Sequence, residues 1–348
     1  MIPVNDDLKL MKETVRDFSA KNIENIALKI EREGIHKDLL KKLAEQGFLG
    51  AMAPQEYGGS ELDSVSYRAI LEEISSFSPS VGVLVFLYNS IASKLLNKGK
   101  AGDYLKEILS GESTLGFGYG EILEGYGNST GNKGSDGKGI LKKDVIFPTA
   151  NKFIALDVSG QNLILANGKI EKAKNKKSLG IRGLGISDVI IETSGTETLG
   201  IRADIVKAIE DSSLEIAAIY LGIIKGSLNK AIEYAKVRTT FDHYLKDYSP
   251  VAFSLSNLRA EEELLRSYIY ESDNENGKGL NALIFSESLS KRATKQALQT
   301  HGGYGYLEDF GVEKFYRDAM TVSTILFRGR TDRKRLSEEV FGTEAGNL

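Results

Sequence analysis

Residues Gln299–Arg335, QTHGGYGYLEDFGVEKFYRDAMTVSTILFRGRTDRKR, decide how the rest of the chain is read. The stretch is entered from an amphipathic helix (Leu283, Phe285, Leu289, Ala293, Ala297) that ends at Gly302-Gly303. Such a pair can take positive φ and let backbone N–H groups approach a phosphate or another anion. Two tyrosines flank Gly305 and offer flat, amphipathic surface. After the acidic pair Glu308-Asp309, a short helix leads through Arg317-Asp318 to Phe327-Arg328-Gly329-Arg330. A glycine pair alone most often only turns the chain, so the weight falls on the order of the whole stretch.

That order, Gln299-x-x-Gly302-Gly303-x-Gly305-Tyr306 and then Val312-Glu313 and Tyr316-Arg317-Asp318-Ala319, resembles the C-terminal signature of the acyl-CoA dehydrogenase family of flavoproteins. The resemblance implies that Gln299, Gly302 and Gly303 hold the adenosine and pyrophosphate end of an FAD bound mainly by a neighbouring subunit. It also implies a Tyr-Glu-Gly-Thr motif whose Glu is the catalytic base. Phe327-Arg328-Gly329-Arg330 stands there instead, so a cation occupies the place of the base. Further upstream, Tyr234-Ala235-x-x-Arg238-x-x-Phe241 is similar to the family's Arg-x-x-Phe-Gly motif. Arg238 is then expected on the FAD pyrophosphate across a dimer interface, with Phe241 beside it. Asp242 replaces the usual glycine and Ser249 a usual glutamine. An arginine at a helix C-terminus also suits the macrodipole with no ligand present.

Composition bounds the alternatives. The 348 residues are 41% hydrophobic and 27% charged, as in an ordinary globular protein of two or three packed units. A net charge of −3 argues against nucleic acid, and the basic run Lys172–Lys177 reads as a solvated loop. Cysteine is absent, and His36, His243 and His301 lie far apart, so no metal site is expected. No apolar run approaches the roughly 20 residues that span a bilayer, and the polar, acidic start MIPVNDDLKL is unlike a signal peptide. The expectation is a cytoplasmic protein without membrane contact.

Three units follow from the pattern: an N-terminal helical domain over 1–113, a shortened middle β domain over 114–202, and a C-terminal four-helix bundle over 203–348. In the first, Leu8, Met11, Val15 and Phe18 fall at helical spacing, Gly47 closes a second helix, and Ser64 or Asp63 caps a third. The most apolar helix is VGVLVFLYNSIASKLL from Val81. The stretches LAEQGFLGAMAPQEYGG, ILEEIS and LSGE resemble the family's N-terminal domain. Beyond Thr114 glycines are dense and β-branched runs at 144–147, 153–158, 162–166 and 189–191 read as strands of a small antiparallel barrel or sandwich. Gly125–Gly139 and Lys172–Ser178 read as polar loops. The long helix Ser212–Thr239 carries Ala217, Gly222 and Gly226, small residues that let a partner helix approach. Helices at Pro250–Ser272 and Gly279–Gln299 complete the bundle. The fold class is therefore mostly α with a small central β domain, and the resemblance implies the acyl-CoA dehydrogenase arrangement.

The resemblance thins in the middle domain. The family's Thr-Glu-Pro and its Trp-Ile-Thr-Asn strand, which meet flavin and thioester, correspond here to Gly120-Glu121-Ile122 and Val145-Ile146-Phe147-Pro148, and the chain has no tryptophan. Desaturating an acyl thioester needs a carboxylate for the α-proton, donors for the enolate and a hydride acceptor. The family's second location for the base aligns with Ser212. Glu210, Asp211, Glu215 and Asp332 are the nearby carboxylates, each also explicable as a helix-terminal or solvated charge. Arg328 could pair with an acidic ligand or neutralise one of them. Two readings stay open. One is an FAD-dependent acyl-CoA dehydrogenase-type enzyme, a homodimer or tetramer acting on an acyl-CoA thioester with an electron-transfer flavoprotein-like acceptor. The other is a non-catalytic partner subunit of a heteromeric dehydrogenase that contributes only the cross-subunit half of the FAD site.

Overall fold

The computed structural model describes residues 6–97, 99–118, 139–169, 177–192, 194–273 and 277–342. The sequence-expected loop up to 138, the 120–122 segment and the lysine-rich run up to 176 lie outside them.

Seven helices precede the first strand: α1 (Asp6–Asn22), α2 (Ala27–Glu33), α3 (Lys37–Glu45), α4 (Ser64–Ser75), α5 (Pro79–Phe86), the single turn α6 (Ser93–Leu95) and α7 (Gly99–Leu109). Asp63 rather than Ser64 caps α4, its carboxylate accepting from the N–H groups of Val65 and Ser66 at 2.9 Å each. Gly47 takes the left-handed conformation that ends α3. α5 is buried on every side, as its run of apolar residues around a single serine, Ser80, demands. It continues into a wider π turn over Leu87–Ala92. Asn89, buried there, donates to the carbonyls of Phe48 and Val85 and accepts from Met52 N–H, so no polar group of its amide is wasted.

Six strands follow among the described residues: β1 (Leu115–Phe117), β2 (Gly139–Ile146), β3 (Lys152–Leu156), β4 (Asn162–Lys169), β5 (Ile186–Glu192) and β6 (Glu197–Ile201). Their order is β3-β1-β2-β5-β4-β6, and a further β3–β4 pairing closes the sheet on itself. The expected all-antiparallel unit is corrected at one seam, where β1 runs parallel to β3 (Leu115 opposite Lys152). A bulge between Lys142 and Val145, with Asp144 at φ 52°, bends β2 for closure.

The C-terminal part consists of α8 (Arg202–Glu210), α9 (Ser213–Val237), α10 (Ser249–Glu271), α11 (Lys278–His301), α12 (Glu313–Ile325) and α13 (Gly329–Phe341). α9 packs on α10, α11 and α12, and on its other side against α4. The small residues of α9 explain that contact: a Cβ on Gly222 would lie 2.4 Å from the Glu72 carbonyl oxygen, and one on Gly226 would lie 2.3 Å from that of Ser76. The seam also buries Glu72 and Glu73 completely. Lys12 and Arg16 of α1, Lys225 of α9 and Arg266 of α10 surround them, and Tyr270 donates to Glu72 at 2.6 Å. The first and last thirds of the chain are thus joined by charge as well as by close helix packing.

Candidate functional site

The C-terminus of α9 and the end of α11 meet at one exposed corner. Arg238 caps α9, its N–H donating to the Tyr234 carbonyl. Its guanidinium lies 5.6 Å from the Tyr304 ring centroid, and it forms no ion pair among the described residues. Tyr304 belongs to the 3₁₀ turn Gly302–Tyr306 that follows Gln299, whose carbonyl accepts from Gly302 N–H. Gly302 has φ 59° and ψ −137°, a combination that side chains oppose. A Cβ on Gly302 or on Gly303 would meet nothing within 4 Å. Gly303 is therefore not required by packing inside this chain, whereas Gly305 is, since a Cβ there would sit 2.7 Å from the Leu298 carbonyl oxygen. Below the turn, His301 stacks on Tyr234 at 4.3 Å and its Nδ1 lies 2.8 Å from the Ala297 carbonyl oxygen. Burial lowers its pKa, so the ring is a neutral support donating from Nδ1.

After Arg238 the chain makes a two-residue hairpin, Thr239–Thr240 against His243–Tyr244. Phe241 and Asp242 form its tip with φ 48° and 62°, the left-handed pair of a type I′ turn. Asp242 keeps the conformation that a glycine would favour. Phe241 is 89% exposed at the tip. Of the five expected cofactor residues, Arg238, Gln299, Gly302 and Gly303 are thus brought to one corner, and Phe241 projects from the adjoining turn.

The place of the base is occupied differently. Arg328 caps α13 and its guanidinium donates to Glu210 Oε1 at 2.7 Å and to Asp332 Oδ1 at 3.0 Å. Its own N–H donates to Asp332 Oδ2 at 2.8 Å. Burial works against the charge, but Asp332 and Glu210 more than offset it, and the guanidinium pKa lies above its ordinary value. Two of the four carboxylates considered as bases are therefore consumed by Arg328. A third, Glu215, is buried against Arg68 Nε at 3.1 Å. Asp211 is exposed, and the Ser212 hydroxyl donates to the Ala208 carbonyl at 2.7 Å. In the middle unit Val145, Ile146 and Phe147 are buried and bring no hydroxyl to the position of the family's threonine.

Helices, a small closed β unit and a second helical bundle, whose corner carries an open glycine turn beside an arginine without an acidic partner among the described residues, define an α–β–α class. Residues 5–112 match the acyl-CoA dehydrogenase N-terminal domain and residues 202–332 match the acyl-CoA dehydrogenase C-terminal domain. An acyl-CoA dehydrogenase of Bacillus subtilis is 28% identical, covering 96% of this chain and 97% of that protein. The caffeyl-CoA reductase-Etf complex subunit CarC of Acetobacterium woodii is 27% identical, covering 89% and 92%. A solved structure described as electron transferring flavoprotein of Acidaminococcus fermentans superposes with a TM-score of 0.82 at 20% identity, covering 99% of this chain and 100% of that one. The chain belongs to the acyl-CoA dehydrogenase family.

The sequence did not reveal that Tyr304 would lie under Arg238, nor that Glu210 and Asp332 would both be spent on Arg328. A further polar recess, lined by Lys94, Tyr67, Ser90 and Ser212, also went unread. Its one signal was Lys94, a charge interrupting the most apolar helical run.

Proposed function

We propose that this chain serves an FAD-dependent oxidoreductase acting on the CH–CH group of an acyl thioester as the subunit without a proton-abstracting base, contributing the cross-subunit half of an FAD site. The observation that carries this is a contrast. Arg328 locks Glu210 and Asp332 where a base would be needed, while the corner of Arg238, Gln299, Gly302 and Gly303 stays open. That corner fits the pyrophosphate end of FAD: an arginine with no acidic partner among the described residues, and two glycines whose missing side chains leave room for a ligand. When bound, FAD supplies hydride exchange with the β-carbon of the thioester. This chain's residues would hold its phosphates by Arg238 and by N–H groups of the glycine turn, and Phe241 would reach across to the subunit that binds the remainder. The base and the ring-binding face then belong to a dehydrogenase-like partner, with an electron-transfer flavoprotein-like acceptor beyond it.

The other reading, a homo-oligomeric enzyme in its own right, is favoured by the near full-length match to a Bacillus subtilis acyl-CoA dehydrogenase. The two part on flavin stoichiometry. The chain is purified alone and after co-expression with a dehydrogenase-like partner, and FAD is counted per chain from the visible spectrum. The expected result is a colourless protein alone and about one FAD per two chains in the mixed assembly, lowered at least severalfold by Arg238→Ala. One FAD per chain in the lone protein, or a mixed assembly whose flavin content Arg238→Ala leaves unchanged, would sink the half-site.

A further inference from the structure

Between α4, the π turn and the start of α9 lies a recess of about 280 Å³, walled by both the N-terminal helices and the bundle. Its hydrogen-bond capacity can be counted. The Ser212 hydroxyl proton goes to the Ala208 carbonyl, and that of Ser93 goes to the Tyr88 carbonyl at 2.9 Å. The Asn89 amide is fully engaged with backbone groups. Tyr67 and Ser90 hydroxyls lie 3.0 Å apart, so one donates to the other and a single proton of the pair is left over. Glu215 is held by Arg68.

The Ser64 hydroxyl and the Asn97 side-chain amide also line the recess, and the cation among the lining residues is Lys94. It forms no ion pair among the described residues, and its one polar side-chain contact is Ser212 Oγ at 3.5 Å. An ammonium therefore reaches over a polar recess that offers neutral donors beside it. Asp211, exposed at the rim, is the opposing charge.

We propose that this recess binds a carboxylate group of a small molecule, with Lys94 as its counter-ion, the spare Tyr67/Ser90 proton as a second donor, and Asp211 as a charge that moderates affinity. The ligand carboxylate comes either from a free small acid or from the far end of an acyl chain. The site needs neither flavin nor turnover, so it stands or falls apart from the half-site reading.

The test is calorimetric titration of the full-length chain with succinate and with its neutral isostere succinamide. Succinate is expected to bind at least tenfold more tightly than succinamide. Lys94→Gln should erase that preference, and Asp211→Asn should raise succinate affinity severalfold. Lys94 and Asp211 are both exposed, so neither variant threatens the fold. Equal affinity for the two compounds, no binding of either, or a preference that survives Lys94→Gln would overturn the proposal. A second arm compares succinyl-CoA with butyryl-CoA. Tighter binding of succinyl-CoA that depends on Lys94 assigns the carboxylate to an acyl chain, and binding of succinate without such a preference assigns it to a free acid.

Discussion

At position 328 a single side chain decides what chemistry the C-terminal segment can support. Replacing Arg328 by glutamate would return a carboxylate to the place of the base, but the surroundings have been rebuilt around a cation. Asp332 is 2% exposed, and without Arg328 its nearest cation is Arg335 at 3.7 Å. Glu210 would likewise be left with Arg335 at 3.8 Å. Removing one partner of a buried ion pair costs about 3 kcal/mol, and a third carboxylate adds repulsion. Arg328→Glu is therefore expected to unfold at clearly lower urea concentration than the parent and to show no turnover with acyl-CoA thioesters and an artificial electron acceptor. Turnover above the parent level would mean that a missing base was the chain's sole deficit.

The element on which the proposed assembly turns is the hairpin after α9. Left-handed backbone costs a residue with a side chain about 1–2 kcal/mol, and at 89% exposure Phe241 gains little from its own chain in return. Glycine would remove that strain but lose a comparable amount through a more flexible unfolded chain. Phe241→Gly is thus expected to leave the Tm of the chain nearly unchanged while weakening its association with the proposed flavin-binding partner, read by sedimentation velocity of the mixed assembly. Association at parental strength would remove Phe241 from the interface. This hairpin also shows what a sequence can convey. Asp242 was noticed only because the family resemblance places a glycine there; that it sits in a left-handed turn came from the fold. The helix of Ser213–Val237 and the termini marked by Gly47, Asp63 and Gly302 were legible because periodicity and capping chemistry are local. The Arg328–Glu210 pair, 118 positions apart, and the parallel β1–β3 seam were not, because each depends on where distant segments come to rest. Gly222 and Gly226 stand between these cases: their smallness announced a close neighbour, and only the fold identified it as α4.

For the molecule as a whole, the seam between α4 and the bundle is where orientation of the first third of the chain is set. Burial by itself would raise the pKa of Glu72, but the charges of Lys12, Arg266 and Lys225 reverse this and bring it to about 2. A carboxyl whose pKa is depressed on folding contributes stability that is full above its unfolded pKa, here near the ordinary 4.5, and is lost as pH falls through its folded value. Glu72→Gln leaves Lys12, Arg16, Lys225 and Arg266 facing Glu73 and Glu262 with one negative charge fewer to meet them. Its cost at pH 7 should be about 3 kcal/mol. The gap between parent and variant should then narrow from about pH 5 downward as Glu72 is protonated in the unfolded and finally in the folded chain. Urea unfolding followed by far-UV circular dichroism at pH 7, 5 and 3 measures it. A gap that stays constant across that range would place the variant's cost in packing rather than in the charge of Glu72, and no gap at pH 7 would show that the seam is held by the close approach at Gly222 and Gly226 alone.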